Sequence, residues 1–243
     1  MTGAARDRFD RLDALRAVAI LWMALFHFLF DLNHYGYLQP RQSFHHDLPW
    51  VAQRTVIVSL FLFCAGLGVA VAQAQGQGWA RFWRRWAQVA GCAVLVSIGS
   101  SLMFPRSFIF FGVLHGIAVM LIVARLAAPL RAWLWPLGAV ALALPWLLQF
   151  EAFNARPLAW TGLITRKPVT EDFVPVLPWL GVMMWGVAAG QWLLAHRRGL
   201  LAGPLAAPLR PLAVLGRWSL SFYMLHQPVF IGGILAGRAL GWW

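Results

Sequence analysis

Charge is what this chain has least of. Asp, Glu, Lys and Arg together make up 12% of it, against roughly a quarter in a soluble domain, which is too little to coat a water-facing surface with ions. Cysteine is scarce as well. The two present, Cys64 and Cys92, both fall inside apolar runs, so no disulfide framework or CxxC metal site is available and a bland buried role is expected for each. HExxH or any similarly tight ligand spacing is missing, so no metal is expected. A Walker or Rossmann glycine pattern is missing too, which disfavours nucleotide-driven chemistry. With neither an internal repeat nor a visible second domain, residues 1–243 read as a single domain.

What the chain does have is apolar length. It is 60% hydrophobic, with 15 Trp and 17 Phe among 243 residues, and its mean hydropathy is +0.66. A window of about 20 residues, the length that crosses a bilayer, finds seven spans: 13–35, 49–73, 82–104, 108–127, 130–149, 173–195 and 211–236. Loop punctuation separates them at Gln39-Pro40, Gln73 to Gly78, Phe104-Pro105, Ala128-Pro129 and Gly203 to Pro208. The fold class is therefore an all-α, polytopic integral membrane bundle of about seven helices, and its first partner is the lipid bilayer.

A net charge of +12 raises the question of nucleic acid, but the basic residues form no aromatic-interleaved groove, so none is expected. They sit between the apolar runs, as orienting charges do. Arg6, Arg8, Arg11, Arg81, Arg84, Arg85, Arg125, Arg131, Arg197, Arg198 and Arg210 fall on one side; Arg41, Arg106, Arg156, Arg166, Lys167 and Arg238 fall on the other. The first side holds more, which predicts a cytoplasmic N-terminus and an external C-terminus. The N-terminal apolar run is long, studded with polar residues and without a small-residue cleavage site, so it reads as retained. The short compact chain, with no eukaryotic targeting signal, points to a bacterial inner membrane.

Ionisable residues inside the spans carry the functional reading. The first span, RLDALRAVAILWMALFHFLFDLNHY, holds Asp13, Arg16, His27 and Asp31. Placing one such group near the bilayer centre costs roughly 2.5 kcal/mol or more, so these groups persist where they pair or handle a substrate. His27, Asp31 and His34 share one helix face. With a rise of about 1.5 Å per residue, His27 lies roughly 21 Å up from the cytoplasmic boundary, His226 about 22 Å, His115 roughly 11 Å in from outside, and Arg54 within about two turns of the same outer edge. This predicts a shared polar layer open to the external face.

Each residue also has a bland reading. A membrane histidine such as His115 is as often a helix-packing hydrogen bonder as a reactive group. His27 with Asp31 one turn away is the carboxylate–imidazole pair that a general base needs. Asp13 and Arg16, three apart, read as a structural ion pair. His45 and His46 fall in a loop, where solvation is the default.

The first span resembles the opening of prokaryotic relatives of the heparan-alpha-glucosaminide N-acetyltransferase catalytic domain, a family of transmembrane acyltransferases. SLFLFCAGLGVAVA is similar to the family's second helix, FIFFGVLHGIAVMLI to its FGILH segment, EDFVPVLPWLGVMMWG to its DxxPxxPWxG segment and GRWSLSFYMLHQPVFIG to its final YxxHQP helix. Together they cover the chain from Arg11 to Gly233. Ala17 stands where the family usually has Gly. The eukaryotic enzymes place an active-site histidine in the luminal loop before the second helix, the region of His45 and His46. The chain is shorter than those enzymes.

The resemblance implies transfer of an acetyl group from cytoplasmic acetyl-CoA to an amine or hydroxyl of a sugar or envelope glycan at the external face. His27, Asp31, His115 and His226 are then the catalytic candidates. Arg54, His45, His46 and Asp172 are candidates for the acceptor, and Arg16, Arg84, Arg85 and Arg217 for the CoA phosphates. Either His27 takes the acceptor's proton or an imidazole attacks first and carries the acetyl group. Self-association as a homodimer is left open. Two rival readings stand beside this one: a proton-coupled transporter using the same His, Asp and Arg residues as a relay, and a non-catalytic membrane protein whose polar groups only lock helices together.

Overall fold

The computed structural model describes residues 9–241; Arg6 and Arg8, counted above toward orientation, lie outside them. The long helices are α1 (Asp10–His34), α2 (Leu48–Ala74), α3 (Trp79–Met103), α4 (Val113–Ala127), α5 (Leu134–Leu147), α6 (Val176–His196), α7 (Arg210–Arg217) and α8 (Ser219–Ala239). Among the described residues the only extended pairing is an isolated bridge between Phe111 and Phe173. Among the described residues, six apolar helical runs are long enough to cross a membrane: α1, α2, α3, the continuous stretch Val113–Leu147, α6 and α8. The chain is an all-α polytopic membrane protein. Its helices begin and end where local chemistry directs. Asp10 and Asp13 occupy the first turn of α1, where carboxylates suit the positive end of the helix, and Gly36 at φ 87 turns the chain away just after it.

The described residues form two compact units: Leu62–Gly203, and Phe9–Phe61 together with the chain from Pro204 on. Within the first unit, the stretch Val113–Leu147 is a hairpin. Gly116 in α4 lies under the Val174 carbonyl at the start of α6, while Gln191 near the end of α6 donates to the Ala128 carbonyl just beyond α4. The two helices therefore run the same way. Trp185 then donates to the Trp135 carbonyl, and Gly181, a turn earlier on α6, meets Gly138 and Leu142 further along α5. So α5 runs back against α6, and the chain reverses between Ala128 and Trp133. The regions expected as separate spans at 108–127 and 130–149 thus hold two separate, oppositely directed helices. At 15 and 14 residues they are only about 22 and 21 Å long, short of a core of roughly 30 Å.

The reversal has a cost at one residue. Arg131 sits at φ 49, ψ −112, the region of the first central residue of a type II′ turn, which glycine occupies freely and an L side chain does not.

The second unit is built on α1. A cluster of Ile20, Met23, Phe26, Phe44 and Ile57 fills its centre, with Leu215, Phe222 and Tyr223 packed on it. In hydrocarbon, apolar burial supplies little drive between helices, so close backbone approach and polar contacts decide association. Both are present. A Cβ on Gly216 of α7 would stand 1.8 Å from the Asp13 carbonyl oxygen of α1, so α7 touches α1 backbone to backbone. Arg217 pairs with Asp10 at 2.9 Å and reaches Asp13 at 3.7 Å, and Asp13 also binds Arg16 at 2.8 Å. The span expected over 211–236 thus divides: Trp218, at φ −96, ψ 16, separates α7 from α8 and lets Arg217 turn to these carboxylates.

Candidate functional site

The polar centre of the unit built on α1 is a pair of imidazoles. His27 of α1 and His226 of α8 face each other with Nδ1 of His27 2.8 Å from Nε2 of His226. Their rings are nearly parallel, at 14°. The second nitrogen of His226, Nδ1, lies 2.6 Å from the Tyr223 carbonyl one turn back. That carbonyl only accepts, so Nδ1 of His226 carries the hydrogen. For a neutral pair the rest follows. Nε2 of His226 is a lone pair, His27 donates its Nδ1–H to it, and the remaining lone pair of the dyad sits on Nε2 of His27. The α8 backbone thereby fixes the tautomer of a histidine on another helix.

Asp31 does not play the orienting part expected of it. It is 4% exposed, and its Oδ1 accepts from Gln227 Nε2 at 3.4 Å rather than holding His27. A residue at i+4 shares a face with His27, but the nitrogen that Asp31 would have held is already used by His226. Asp31 Oδ2 and Gln227 Oε1 are both buried without a donor. Two adjacent residue pairs, His27 with His226 and Asp31 with Gln227, therefore line one seam between α1 and α8.

The loop between α1 and α2 is pinned next to the Asp31–Gln227 end of this seam. Asn33 and Gln42 exchange two hydrogen bonds, at 2.9 and 2.8 Å, and buried Phe44 stacks on Trp50 at 4.0 Å. His45 and His46 flank this anchor and are exposed; His45 meets the edge of Phe30. Arg54, half-buried on α2, makes no ion pair among the described residues.

His115 belongs to the other unit, and its environment is different. Its Nδ1 accepts from the Gly112 N–H at 3.2 Å, so its Nε2–H points to Ser97 Oγ at 3.1 Å, and Ser97 passes its own hydrogen to the Ile109 carbonyl at 2.6 Å. Both nitrogens are committed. Asp172 serves the same helix end, accepting from the Val113 N–H at 2.7 Å. Together they satisfy two of the amide groups that every helix start leaves open. A Cβ on Gly112 would meet Asp172 Oδ2 at 2.4 Å, which explains a glycine there.

Of the four arginines expected at phosphates, Arg16 and Arg217 are tied to Asp10 and Asp13 as described, and Arg84 and Arg85 are exposed near the start of α3. Sequence reasoning passed over Gln227, Tyr223 and Ser97. Gln227 stands beside His226 in the HQP string, and Ser97 is the first of three serines, with Ser100 and Ser101, in an otherwise apolar stretch; those were the available signals. Tyr223 acts through its backbone, which no residue type announces.

Apolar helices long enough to cross a membrane, two of which hold a hydrogen-bonded imidazole pair between them, define an integral membrane protein with a polar centre between α1 and α8. The family model described as heparan-alpha-glucosaminide N-acetyltransferase, catalytic, matches residues 8–228, and the chain belongs to this family of membrane acetyltransferases. No curated protein and no solved structure matches it.

Proposed function

We propose that this protein moves an acetyl group from acetyl-CoA, supplied from the cytoplasm, to an amine or hydroxyl of a sugar or envelope glycan at the external face, with His27 as its general base. The observation that carries this reading is the free lone pair on His27 Nε2, left by the hydrogen bonds of the other three ring nitrogens of the dyad. The acceptor X–H gives its proton to Nε2 as X attacks the thioester carbonyl. The new X–C bond forms, the C–S bond breaks, and the proton passes from His27 to the leaving sulfur as CoA departs.

His226 is a positioning residue, holding His27 in the tautomer that leaves Nε2 bare. Asp31 Oδ2 and Gln227 Oε1, both buried and in want of a donor, suit the acceptor's own N–H or O–H groups. Arg54 suits the developing oxyanion, and His45 and His46, exposed in the loop, suit the acceptor's outer part. On the donor side, the unspent donors of Arg16 and Arg217 in one unit, or Arg84 and Arg85 in the other, suit the CoA phosphates. His115 has no nitrogen left for substrate, so its part is to hold the start of α4, and Asp172 shares that part.

The test is CoA release from acetyl-CoA by detergent-purified protein, with and without amino sugars or envelope glycans, beside a folded His27→Ala variant. Acceptor-dependent release that drops by about 10²–10⁴ in the variant is expected of a lost general base. Intact-mass measurement before acceptor is added separates the two chemical routes, since a protein heavier by one acetyl group reports attack by the imidazole itself. No release and no acetyl-CoA binding would sink the proposal and return the buried His and Asp residues to proton-coupled transport.

A further inference from the structure

We propose that the groove where α2, α6 and the α4–α5 turn all end binds the headgroup of an anionic phospholipid, with the Arg131 guanidinium on its phosphate. The groove has a volume of about 700 Å³ and is lined by Gln73, Arg131, Trp135, Gln191, Trp192 and His196, over a floor of alanines. It lies within the Leu62–Gly203 unit, remote in sequence from the His27–His226 dyad.

Four observations point to this ligand. The first is depth. Gln73 stands one residue from the end of α2, His196 ends α6, and Arg131 lies in the turn between α4 and α5, so three membrane elements stop at this level. Trp135 and Trp192, 44% and 52% exposed, mark it as tryptophans mark the headgroup boundary.

The second is charge. No Asp or Glu lines the groove, Arg131 is exposed and makes no ion pair among the described residues, and Arg197 and Arg198 follow directly on the end of α6. Basic pockets between membrane helices at this depth suit anionic headgroups.

The third is backbone. Arg131 is the one non-glycine residue at positive φ among the described residues, at φ 49. Glycine would take that conformation without strain, and strain kept at a functional side chain is evidence that the side chain is used.

The fourth is an orphan acceptor. Gln191 spends its Nε2 on the Ala128 carbonyl, and its Oε1 is buried without a donor. A hydroxyl on the headgroup would supply that donor. The alanine floor, with Ala70 and Ala188 nearly fully buried, and the two tryptophan faces suit the glycerol and upper acyl carbons that a free phosphate lacks.

The test uses the full chain in lipid-free detergent, read by thermal unfolding and by lipid adducts in native mass spectrometry. The probes are phosphatidylglycerol, phosphatidylcholine, glycerol phosphate and acetyl-CoA. Phosphatidylglycerol should raise the unfolding temperature and remain bound, and phosphatidylcholine should do neither. Arg131→Gln should lower phosphatidylglycerol retention about fivefold, the size of one basic side chain at a lipid surface, while Arg131→Lys keeps most of it. Arg131→Gly, which relieves the backbone while removing the cation, should unfold no earlier than the parent without lipid yet lose the lipid shift. That variant guards against misreading a folding defect. Equal stabilisation by phosphatidylcholine, or undiminished phosphatidylglycerol retention in both Arg131→Gln and Arg131→Gly, would overturn the proposal. An Arg131-dependent shift with glycerol phosphate or acetyl-CoA would also overturn it, by making this a site for soluble phosphates.

Discussion

Two histidines in this protein, one in each compact unit, have opposite chemistry because of what their second nitrogen touches. His27 keeps a lone pair because His226 takes its Nδ1–H and Tyr223 takes the next hydrogen along. His115 keeps none, because Gly112 and Ser97 claim both sides of its ring. Substituting them should therefore separate them in activity rather than in stability. His27→Ala should abolish most turnover per folded molecule, and by leaving the buried Nε2 of His226 without its donor it should also cost stability. His115→Ala should cost about 1–3 kcal/mol, the usual penalty for leaving buried hydrogen-bond partners unmet. The fraction of His115→Ala that stays folded should keep a near-parental kcat and KM for acetyl transfer. Parental melting with lost turnover in His115→Ala would show that its ring serves the reaction after all. His226→Ala should fall between the two in turnover, losing about 10–100-fold, the size of loss seen when the hydrogen-bond partner that orients a metal-bound imidazole is removed.

At the scale of elements, the hairpin α4–α5 and the short helix α7 are where hydropathy and geometry part ways. Val113–Leu147 is one continuous helical run of 35 residues with the hydropathy of a single span, yet Arg131 sits at its reversal and is exposed. In a Cys64→Ala, Cys92→Ala background, Arg131→Cys should react with a membrane-impermeant thiol reagent from the same side as Gln75→Cys, and Arg166→Cys from the opposite side. A single tilted helix would instead bury position 131 in the bilayer and leave it unlabelled. In α7, Gly216 lies against the α1 backbone with no room for a Cβ. Gly216→Ala should lower stability by about 1–3 kcal/mol, because the obstructing atoms belong to the main chain and cannot rotate away. Gly232, with open space around it, is the control, and alanine there should change melting little.

For the whole molecule, the number of crossings sets the relation between the two ends of the chain. Counting the hairpin as two crossings gives seven, so reporters fused to the two termini should lie on opposite sides of the membrane; six would place them together. The arginine balance predicts a cytoplasmic N-terminal side. A reporter that fluoresces only in the cytoplasm should accordingly light up at the N-terminus and stay dark at the C-terminus, and the reverse pattern would refute the orientation that the donor-side arginines require.

Composition and apolar run length by themselves determined the membrane class, the all-α architecture and the places where the helices fall. The reason is physical: in hydrocarbon every backbone group must be satisfied within its own segment, so long apolar runs have one structural outcome. The ordered strings around His27, His115, Asp172 and His226 likewise carried the family. Sequence spacing also offered Asp31 as the partner of His27, since residues four apart share a helix face. Only the tertiary structure decided that His226, 199 residues away, takes that place, that Asp31 turns to Gln227, and that His115 is spent on capping α4. Those outcomes depend on which helices lie side by side and on carbonyls such as that of Tyr223, which belong to the backbone and carry no residue-specific mark in the chain.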